Sequence, residues 1–257
     1  MKVAALSSGS GGNCFYVEND NSAILVDAGI NAKNINERLS SLKLNPEKIK
    51  AIFITHEHID HVRGADVFAR QFKIPIYATR GTIKNSFLCS NEKLINSIKK
   101  DEIIHINGMK IESFPKSHKA AEPVSFSIAN KNKKVSVITD LGYSCDNVNS
   151  AISASDFLFI ESNHDLEMLK NGPYPSFLKN WIKGDSGHLS NTQASLSVLE
   201  FGNSKLKNIV LSHLSKVNNA PEIALKTFNS LLKERKNFSG KVHLSLEHKP
   251  THLFKVI

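Results

Sequence analysis

Short apolar runs, separated by glycine, asparagine and aspartate, fill the first part of the chain. Runs of this length and rich in Val, Ile and Phe predict strands, and the polar residues between them predict turns. Longer stretches with apolar residues on one face predict helices. The pattern predicts strands at 2–6, 14–18, 22–26, 51–54 and 75–78, helices at 33–42 and 63–72, and a mostly helical segment at 81–97.

The second half returns to strands and then becomes richer in helices. β-Branched and aromatic residues predict strands before residue 160, and helices dominate from there to residue 208. The predicted strands are 103–106, 110–114, 124–129, 134–139, 156–160, 208–212, 241–246 and 252–256, and the predicted helices include 174–183 and 221–235.

This order of elements fits two β-sheets packed face to face, with helices on both outer faces. The predicted fold class is therefore α/β, arranged as a four-layer αββα sandwich. A chain of 257 residues is long enough for one large core, and nothing in its length requires a second domain. We expect a single domain over residues 1–257.

Composition places the chain among ordinary globular proteins, with 40% hydrophobic and 22% charged residues. The apolar run at the start is too short for a signal-peptide core, and no run approaches the roughly 20 residues that a membrane helix needs. The three cysteines, Cys14, Cys89 and Cys145, are far apart, which suits a reducing compartment. These features predict a cytoplasmic protein with no membrane partner.

The formal net charge is +9 and the isoelectric point is about 9.4. An excess of cations favours a polyanionic partner such as nucleic acid. The lysines are dispersed, however, and a chain rich in Lys, Asn and Ile can also result from biased genome composition. Charge alone therefore leaves the nucleic-acid partner open.

A dense cluster of ligand-type side chains follows the apolar strand at 51–54. Three histidines and an aspartate lie within six residues, in the segment His56-Glu57-His58-Ile59-Asp60-His61. Residues two apart in an extended segment point the same way, so His56 and His58 can ligate one ion. A turn after them lets Asp60 and His61 face a second ion. Imidazole and carboxylate suit Zn²⁺, with Mn²⁺ or Fe²⁺ as alternatives.

This segment resembles the H-x-H-x-D-H motif of the metallo-β-lactamase superfamily, without a departure. The resemblance implies the fold of that superfamily and a site for two divalent metal ions. It implies that Asp27, at the end of an early strand, supports the metal loop. By the same resemblance His118 is the third histidine of the first site, Asp140 bridges the two ions, and His213 is the final ligand, with His248 as the competing residue for that place. The implied ligands are His56, His58, His118 and Asp140 for one ion, and Asp60, His61, Asp140 and His213 for the other.

Two such cations, roughly 3.5 to 4 Å apart, can share a hydroxide and stabilise both the attacking and the leaving oxygen in hydrolysis. Asp60 is predicted to be catalytic, because it can orient that hydroxide and accept its proton. Cys145 does not match the cysteine ligand of some β-lactamases, which argues against an antibiotic-degrading enzyme.

Further segments resemble one branch of the superfamily, the YycJ/WalJ proteins, which are associated with exonuclease or phosphodiesterase activity on DNA. The segments are Ser7 to Cys14, Asp60 to Gly64, Glu161 to Asp165, Gly187 to Asn191, and His213 to Ser215 with Asn218 and Asn219. The resemblance runs through nearly the whole chain, and it implies a nucleic acid substrate, with DNA favoured.

Several residues in these segments are candidates for substrate contact. Glycines allow close approach of backbone to phosphate, so Ser8 and Ser10 in the Gly-rich loop are predicted to bind substrate, although a tight turn explains the loop equally well. His188 precedes a helix start and is predicted to act as phosphate ligand or proton donor. Ser190 makes a capping box with Gln193, which accounts for Ser190 without a function. The predicted substrate-binding residues are Ser8, Ser10, Asn163, His164 and Ser190.

Two other function classes compete with the nuclease. A thioester or lactone hydrolase of the glyoxalase II-like type would use the same metal site, and a small acyl substrate would need no basic groove. A non-catalytic binding module is the other alternative, which a complete ligand set disfavours. Within the helix at 174–183, the aromatic residues Tyr174, Phe177 and Trp181 fit either core packing or substrate contact.

Overall fold

A computed structural model describes residues 1–235 and 238–256 of the chain. Its strands form two seven-stranded sheets. Sheet A has the order β14-β1-β2-β3-β4-β5-β6 and sheet B the order β13-β12-β11-β10-β9-β8-β7. The strands of sheet A are β1 (Lys2–Ser7), β2 (Cys14–Glu18), β3 (Ala23–Val26), β4 (Ile49–Phe53), β5 (Ile76–Thr79), β6 (Ile95–Ile98) and β14 (Phe254–Lys255); those of sheet B are β7 (Ile103–Ile106), β8 (Met109–Pro115), β9 (Val124–Asn130), β10 (Lys133–Ile138), β11 (Phe157–Glu161), β12 (Asn208–Ser212) and β13 (Lys241–Leu244).

Helices cover the outer face of each sheet. Buried residues of α1 and α3 pack on sheet A, and those of α5, α8 and α9 pack on sheet B. Short 3₁₀ turns lie at Pro46–Lys48 and Glu92–Leu94. The α-helices of the described residues are α1 (Ala32–Ser41), α2 (Ile59–Val62), α3 (Ala65–Phe72), α4 (Arg80–Asn85), α5 (Asp146–Ala154), α6 (Leu166–Asn171), α7 (Ser176–Ile182), α8 (Asn191–Phe201) and α9 (Pro221–Leu232).

The central core lies between the two sheets and is rich in aromatic rings. Phe15 of β2 contacts Phe159 of β11 at 5.0 Å between ring centroids, and Phe53 of β4 contacts Phe126 of β9 at 5.4 Å. All four side chains are fully buried, and rings at these separations attract each other beyond the area they bury. With the two outer cores, this layer confirms the predicted αββα sandwich.

One predicted segment differs from the structure, and the helix α5 was not predicted. The segment 81–97 is α-helical only in α4, has a 3₁₀ turn at Glu92–Leu94, and ends in β6, because Ile95–Ile98 pairs in parallel with β5 on sheet A. Sheet pairing overrides the weak helical pattern there. The helix α5 has no counterpart in the predicted elements, since its sequence contains several Asn and Ser residues; Val148 and Ile152 stabilise it by packing on sheet B.

The polar loops that follow the parallel strands of both sheets lie at one edge of the sandwich. In sheet A, β3 and β4 are parallel; in sheet B, β10, β11 and β12 are parallel. Their carboxyl ends therefore lie side by side. Three residues within two positions of the ends of these strands have a left-handed backbone, namely Asp27 (φ 61°), Asp140 (φ 55°) and His213 (φ 55°). Such conformations are strained for residues other than glycine and concentrate at functional sites.

A membrane-spanning helix must be both long and apolar. None of the helices within residues 1–235 and 238–256 is long and apolar enough to cross a membrane.

Candidate metal centre

His56, His58 and His118 form a group of three imidazoles at the edge where the strands end. One ring nitrogen of each lies within 4.8 Å of the others. Nε2 of His56 is 2.9 Å from Nδ1 of His58, and Nε2 of His118 is 3.4 Å from that same Nδ1. Burial lowers the pKa of His56 well below its ordinary value and that of His118 to about 3. Both rings are therefore neutral, which is the form that binds a metal ion.

Asp60, His61, Asp140 and His213 form the second group, with ligand atoms within 4.8 Å of one another. Nε2 of His61 is 3.3 Å from Oδ2 of Asp60 and 3.1 Å from Oδ2 of Asp140. Burial opposes protonation of His213, but the carboxylates of Asp140, Asp60 and Glu161 raise its pKa to about 10. Burial likewise opposes protonation of His61, whose pKa the Asp140 and Asp60 carboxylates raise well above its ordinary value.

The donor set fits a divalent cation in each group. Oδ2 of Asp140 and Nε2 of His213 are buried. Although Oδ2 of Asp140 lies 3.1 Å from Nε2 of His61, neither atom makes a hydrogen bond of suitable geometry among the residues that the structure describes. Leaving such groups unpaired is costly, so an ion at this place would satisfy both. Three imidazoles in one group, and mixed imidazole and carboxylate donors in the other, match the ligand chemistry of zinc and similar metals. Asp140 reaches both groups, with Oδ1 3.8 Å from Nε2 of His118.

Asp27 contacts the loop that carries His56 to His61, where the family resemblance predicts a supporting carboxylate. Its Oδ1 accepts the backbone N–H of Thr55 at 2.8 Å, and its Oδ2 lies 2.7 Å from Nδ1 of His61. With Nδ1 held by a carboxylate, Nε2 of His61 points to the ligand group. Thr55 Oγ1 also lies 3.0 Å from Nδ1 of His56. One buried carboxylate therefore orients ligands of both groups.

The loop before β2 contacts the metal loop through Asn13, which the sequence did not single out. Asn13 Nδ2 donates to Oδ2 of Asp60 at 3.2 Å, and its backbone N–H donates to the Asp60 carbonyl at 2.8 Å. A Cβ on Gly29 would lie 1.6 Å from the same carbonyl oxygen, so only glycine fits there. Asn13 thus orients the side chain that we predict to be catalytic.

Glu161, at the end of β11, is the central residue that sequence reasoning missed. Its Oε1 lies 2.9 Å from Nδ1 of His188 and 2.9 Å from Nδ1 of His213. Its Oε2 accepts the backbone N–H groups of Leu141 and Leu189, both at 2.9 Å. Burial would raise the pKa of Glu161, but the two histidines hold it well below its ordinary value. The carboxylate therefore fixes the tautomer and orientation of a predicted ligand and of His188 together.

His188 lies beside both groups, and with Asp140, Glu161 and His213 it also forms a third set whose ligand atoms lie within 4.8 Å of one another. Its side chain is 12% exposed, and its Nδ1 is 3.9 Å from Oδ1 of Asp140. The ring centroid is 5.2 Å from those of His118 and His213, and the edge of Trp181 lies against it at 5.7 Å. The predicted catalytic residues Asp60 and His188 therefore both lie next to Asp140 and His213.

The predicted substrate-binding residues divide into exposed and internally bonded ones. Ser8 Oγ accepts the backbone N–H of His213 at 2.8 Å, and Asn163 Nδ2 donates to the His213 carbonyl at 3.0 Å, so both hold the strained backbone of that residue. Ser190 caps α8 in a capping box with Gln193. Ser10 is exposed.

His164 is fully buried, and neither ring nitrogen has a hydrogen-bond partner within the described part of the chain. Burial lowers its pKa to about 4, so the ring is neutral. Its backbone pairs with Ser190 in an isolated bridge. The structure places it beneath the site, and its contact with substrate stays a prediction.

Three other residues from the sequence lie away from the ligand groups. His248 is exposed and belongs to none of the groups found among the described residues, which favours His213 as the final ligand. Cys145 Sγ lies 4.0 Å from the Pro115 carbonyl and not in a ligand group of those residues. Phe177 is 75% exposed, so it does not pack in the core.

Comparison with known proteins places this site in a family. The profile of the metallo-beta-lactamase superfamily matches residues 8–169. The chain is 37% identical over 243 residues to exodeoxyribonuclease YycJ of Bacillus anthracis, covering 91% of this chain and 90% of that protein. It is 37% identical over 234 residues to exodeoxyribonuclease WalJ of Streptococcus pneumoniae, covering 88% and 86%.

The fold is shared with more distant structures. The Zn²⁺-bound PqqB of Methylobacterium extorquens superimposes with a TM-score of 0.71 at 16% identity, covering 98% of this chain and 99% of that one. The matched profile spans the motif at residues 56–61 and the residues of both ligand groups up to Asp140. The chain belongs to the metallo-β-lactamase superfamily.

Proposed function

We propose that the protein is a phosphodiesterase that depends on two divalent metal ions and acts as an exonuclease on nucleic acid, with DNA as the favoured substrate. The similarity to two proteins named exodeoxyribonuclease, which extends over most of this chain and most of theirs, supports the substrate class. We further propose Zn²⁺ as the native metal, with Mn²⁺ or Fe²⁺ as alternatives, a cytoplasmic location, and one hydrolase domain over residues 1–257.

The observation that carries the proposal is the Glu161–His188 pair next to the ligand groups. Cleavage of a phosphodiester leaves an alkoxide that needs a proton, and a positioned imidazole supplies such protons well. Glu161 holds Nδ1 of His188 at 2.9 Å, so Nε2 is the atom that can donate to the leaving oxygen. When bound, the two cations would lower the pKa of water and offset the charge of the phosphate oxygens.

The other residues of the site would hold the metal ions, orient the ligands and accept a proton. His56, His58 and His118 would hold one ion and Asp60, His61 and His213 the other, with Asp140 shared between them. Asp60 is held by Asn13 at 3.2 Å and can accept a proton from the attacking water. Buried Lys116, whose Nζ donates to the Thr139 carbonyl at 2.6 Å, fixes the strand end that carries Asp140.

The decisive experiment compares wild type, His188→Ala and His105→Ala, an exposed histidine on β7 that serves as matched control. Metal content, oligonucleotide cleavage and oligonucleotide binding are measured at several salt concentrations. Lysines that neutralise phosphates release counterions, so binding should weaken steeply as salt rises. His188→Ala should lower turnover about 100-fold or more with unchanged metal content, which is the range of general acid catalysis.

The same preparation is assayed with a thioester and a lactone. Hydrolysis of these with a flat salt response, and no cleavage of phosphodiesters by fully metallated protein, would replace the nuclease with the acyl hydrolase. Inactivity towards the oligonucleotide, the thioester and the lactone would favour a non-catalytic binding module. Loss of metal in His188→Ala would show instead that His188 is a ligand.

A further inference from the structure

The helix α7 is attached directly to the loop that carries His188. The backbone N–H of His188 donates to the Ile182 carbonyl at 2.8 Å, and a Cβ on Gly187 would lie 2.2 Å from the carbonyl oxygens of Trp181 and Ile182. The ring of Trp181 packs on that of His188, with 5.7 Å between the centroids and 87° between the planes. Backbone and ring contacts therefore fix the position of α7 relative to the predicted proton donor.

An exposed aromatic ring lies one turn further along α7. Phe177 is 75% exposed, and because it precedes Trp181 by four residues, the two side chains are neighbours on the helix surface. Since His188 is bonded to the carboxyl-terminal end of α7, Phe177 lies roughly 6 Å further from it along the helix axis. One exposed apolar side chain is common on any protein surface, so the meaning of Phe177 depends on what surrounds it.

Basic side chains lie on both sides of His188. Lys183 ends α7, and Lys119 directly follows the predicted ligand His118; both lysines are exposed. The backbone N–H of Lys119 donates to the Ser186 carbonyl at 3.1 Å, which joins its loop to the loop before His188. Neither lysine forms an ion pair within the described residues. Both charges are therefore available to attract an anion.

A groove of about 320 Å³ between α6 and α7 extends this basic surface. Lys170, Lys179 and Lys183 line it together with one carboxylate, Glu167, which lies 4.0 Å from Nζ of Lys170 and offsets that cation. Nζ of Lys179 donates to the Lys170 carbonyl at 2.8 Å, a contact that leaves its charge uncompensated. Even with the exposed carboxylate of Asp185, positive charge is in excess.

We propose that the surface formed by Lys119, Phe177, Lys179 and Lys183 binds the nucleotide that carries the leaving oxygen. The inference rests on the proposed function, in which Nε2 of His188 donates to that oxygen; a surface attached to His188 lies on the leaving side of the phosphate. The base stacks on Phe177, and the lysines contact the neighbouring phosphates. Aromatic rings beside basic side chains hold bases without selecting among them, and a terminal base offers its outer face whether or not it is paired.

The first test uses blunt DNA duplexes with one abasic residue in the digested strand, at either of the two nucleotides that flank the first phosphate to be cut. Water adds to the phosphorus and the bond to the leaving oxygen breaks, so the leaving nucleotide ends in a hydroxyl and the other fragment keeps the phosphate. Mass spectrometry of the products therefore identifies the leaving nucleotide. The value of kcat/KM is measured for wild type, Phe177→Ala and Phe177→Tyr, which keeps the ring.

Phe177→Ala should lower kcat/KM on intact DNA about 5- to 140-fold, the range that one stacked base contributes, and Phe177→Tyr should stay near wild type. An abasic leaving nucleotide should cost wild type a similar factor and Phe177→Ala nothing further. Equal kcat/KM for wild type and folded Phe177→Ala would overturn the proposal, as would an undiminished abasic effect in that variant. If Phe177→Ala does not fold, Phe177→Leu, which is apolar without a ring, replaces it with the same expected result.

The second test measures how binding of a phosphorothioate-linked duplex to metal-loaded protein depends on salt. Lys119→Gln and Lys183→Gln should each reduce the slope of log K against log salt concentration by about 0.9, the value for one phosphate contact. Lys241→Gln is the matched control, because Lys241 begins β13, which is parallel to β12, and so lies at the edge opposite the candidate metal centre. Slopes for Lys119→Gln and Lys183→Gln equal to that of Lys241→Gln would overturn the phosphate contacts.

Hydrolysis of bis(p-nitrophenyl) phosphate by wild type separates this proposal from the proposed function, because that small diester has no nucleotide on its leaving side. Metal-dependent hydrolysis of it, together with wild-type kcat/KM on DNA for Phe177→Ala, would reject the α7 surface alone. Failure of metal-loaded protein to cleave both it and DNA would reject the phosphodiesterase itself.

Discussion

The two ligand groups differ in how the protein balances their charge. The group of His56, His58 and His118 contains only imidazoles, and burial keeps His56 and His118 neutral. The group around Asp60 and Asp140 contains buried carboxylates, whose charge raises the pKa of its histidines. Without a cation, the pKa values of His56 and His118 lie below the ordinary value of histidine, and those of His61 and His213 lie above it.

This difference indicates that the two groups depend on an ion to different degrees. Uncompensated negative charge in a buried place is costly, so the carboxylate group needs either a cation or protons on His61 and His213. The imidazole group carries no such charge and persists without an ion at smaller cost. The predictions below test this asymmetry.

Asp60→Asn has the largest expected effect. The change removes a ligand charge and the proton acceptor but keeps the shape of the side chain, so turnover should fall about 100-fold or more. Melting temperature is measured beside turnover to show that the variant folds. In metal-free protein it should fall, because His61 and His213 hold the pKa of Asp60 low against the effect of burial, so its charge stabilises the fold at neutral pH. Retention of more than about a tenth of the activity would contradict the role assigned to Asp60.

Glu161→Gln should have the next largest effect. The amide cannot accept hydrogen bonds on both sides, so it loses either the two histidines or the backbone groups of Leu141 and Leu189. Loss of such orienting partners costs about 10- to 100-fold in metal affinity or activity. Metal titration and turnover check this, and normal values for both would show that Glu161 serves only the fold.

His213→Ala should separate the two groups directly. Metal content should fall from about two equivalents per chain towards one, because the change removes a ligand of the carboxylate group and leaves the three imidazoles intact. Elemental analysis of His213→Ala, His118→Ala and His248→Ala provides the comparison. Two ions in His213→Ala together with fewer in His248→Ala would show that His248 is the final ligand.

Ser190→Ala should have the smallest effect. Ser190 caps α8 in a capping box, so its loss should cost about 1 kcal/mol and lower the melting temperature by about 2–4 °C. Turnover at a temperature well below melting should stay at the wild-type value. A clear fall in turnover there would return Ser190 to the substrate-binding residues.

The sequence predicted most of the fold because the strands alternate strongly with turn residues. The strands at Cys14–Glu18 and Asn208–Ser212 match the predicted bounds. Prediction failed where tertiary contacts decide, as at β6, which forms only because β5 lies beside it, and at α5, whose Asn and Ser content hides its packing face. Neither contact leaves a local pattern in the sequence.

In the candidate site too, local patterns could be predicted from the sequence and tertiary contacts could not. The segment 56–61 indicates metal ligands by spacing alone, since its residues are close in sequence. Glu161 has no such signal, because His188 and His213 lie 27 and 52 residues away along the chain. A buried glutamate at the end of an apolar strand was the available hint. Asn13 was hidden likewise, since its partner Asp60 lies 47 residues away.

The left-handed backbone at Asp27, Asp140 and His213 has a consequence for directed evolution. Each such residue stores roughly 1–3 kcal/mol of strain, which glycine would release. Selection for heat resistance alone should therefore enrich glycine or asparagine at Asp140 and His213 and produce robust but inactive proteins. Asp27 should be retained, because its buried carboxylate accepts the Thr55 N–H. A library screened for both properties would need to leave these positions fixed and seek its gains elsewhere, for example on the exposed faces of the helices.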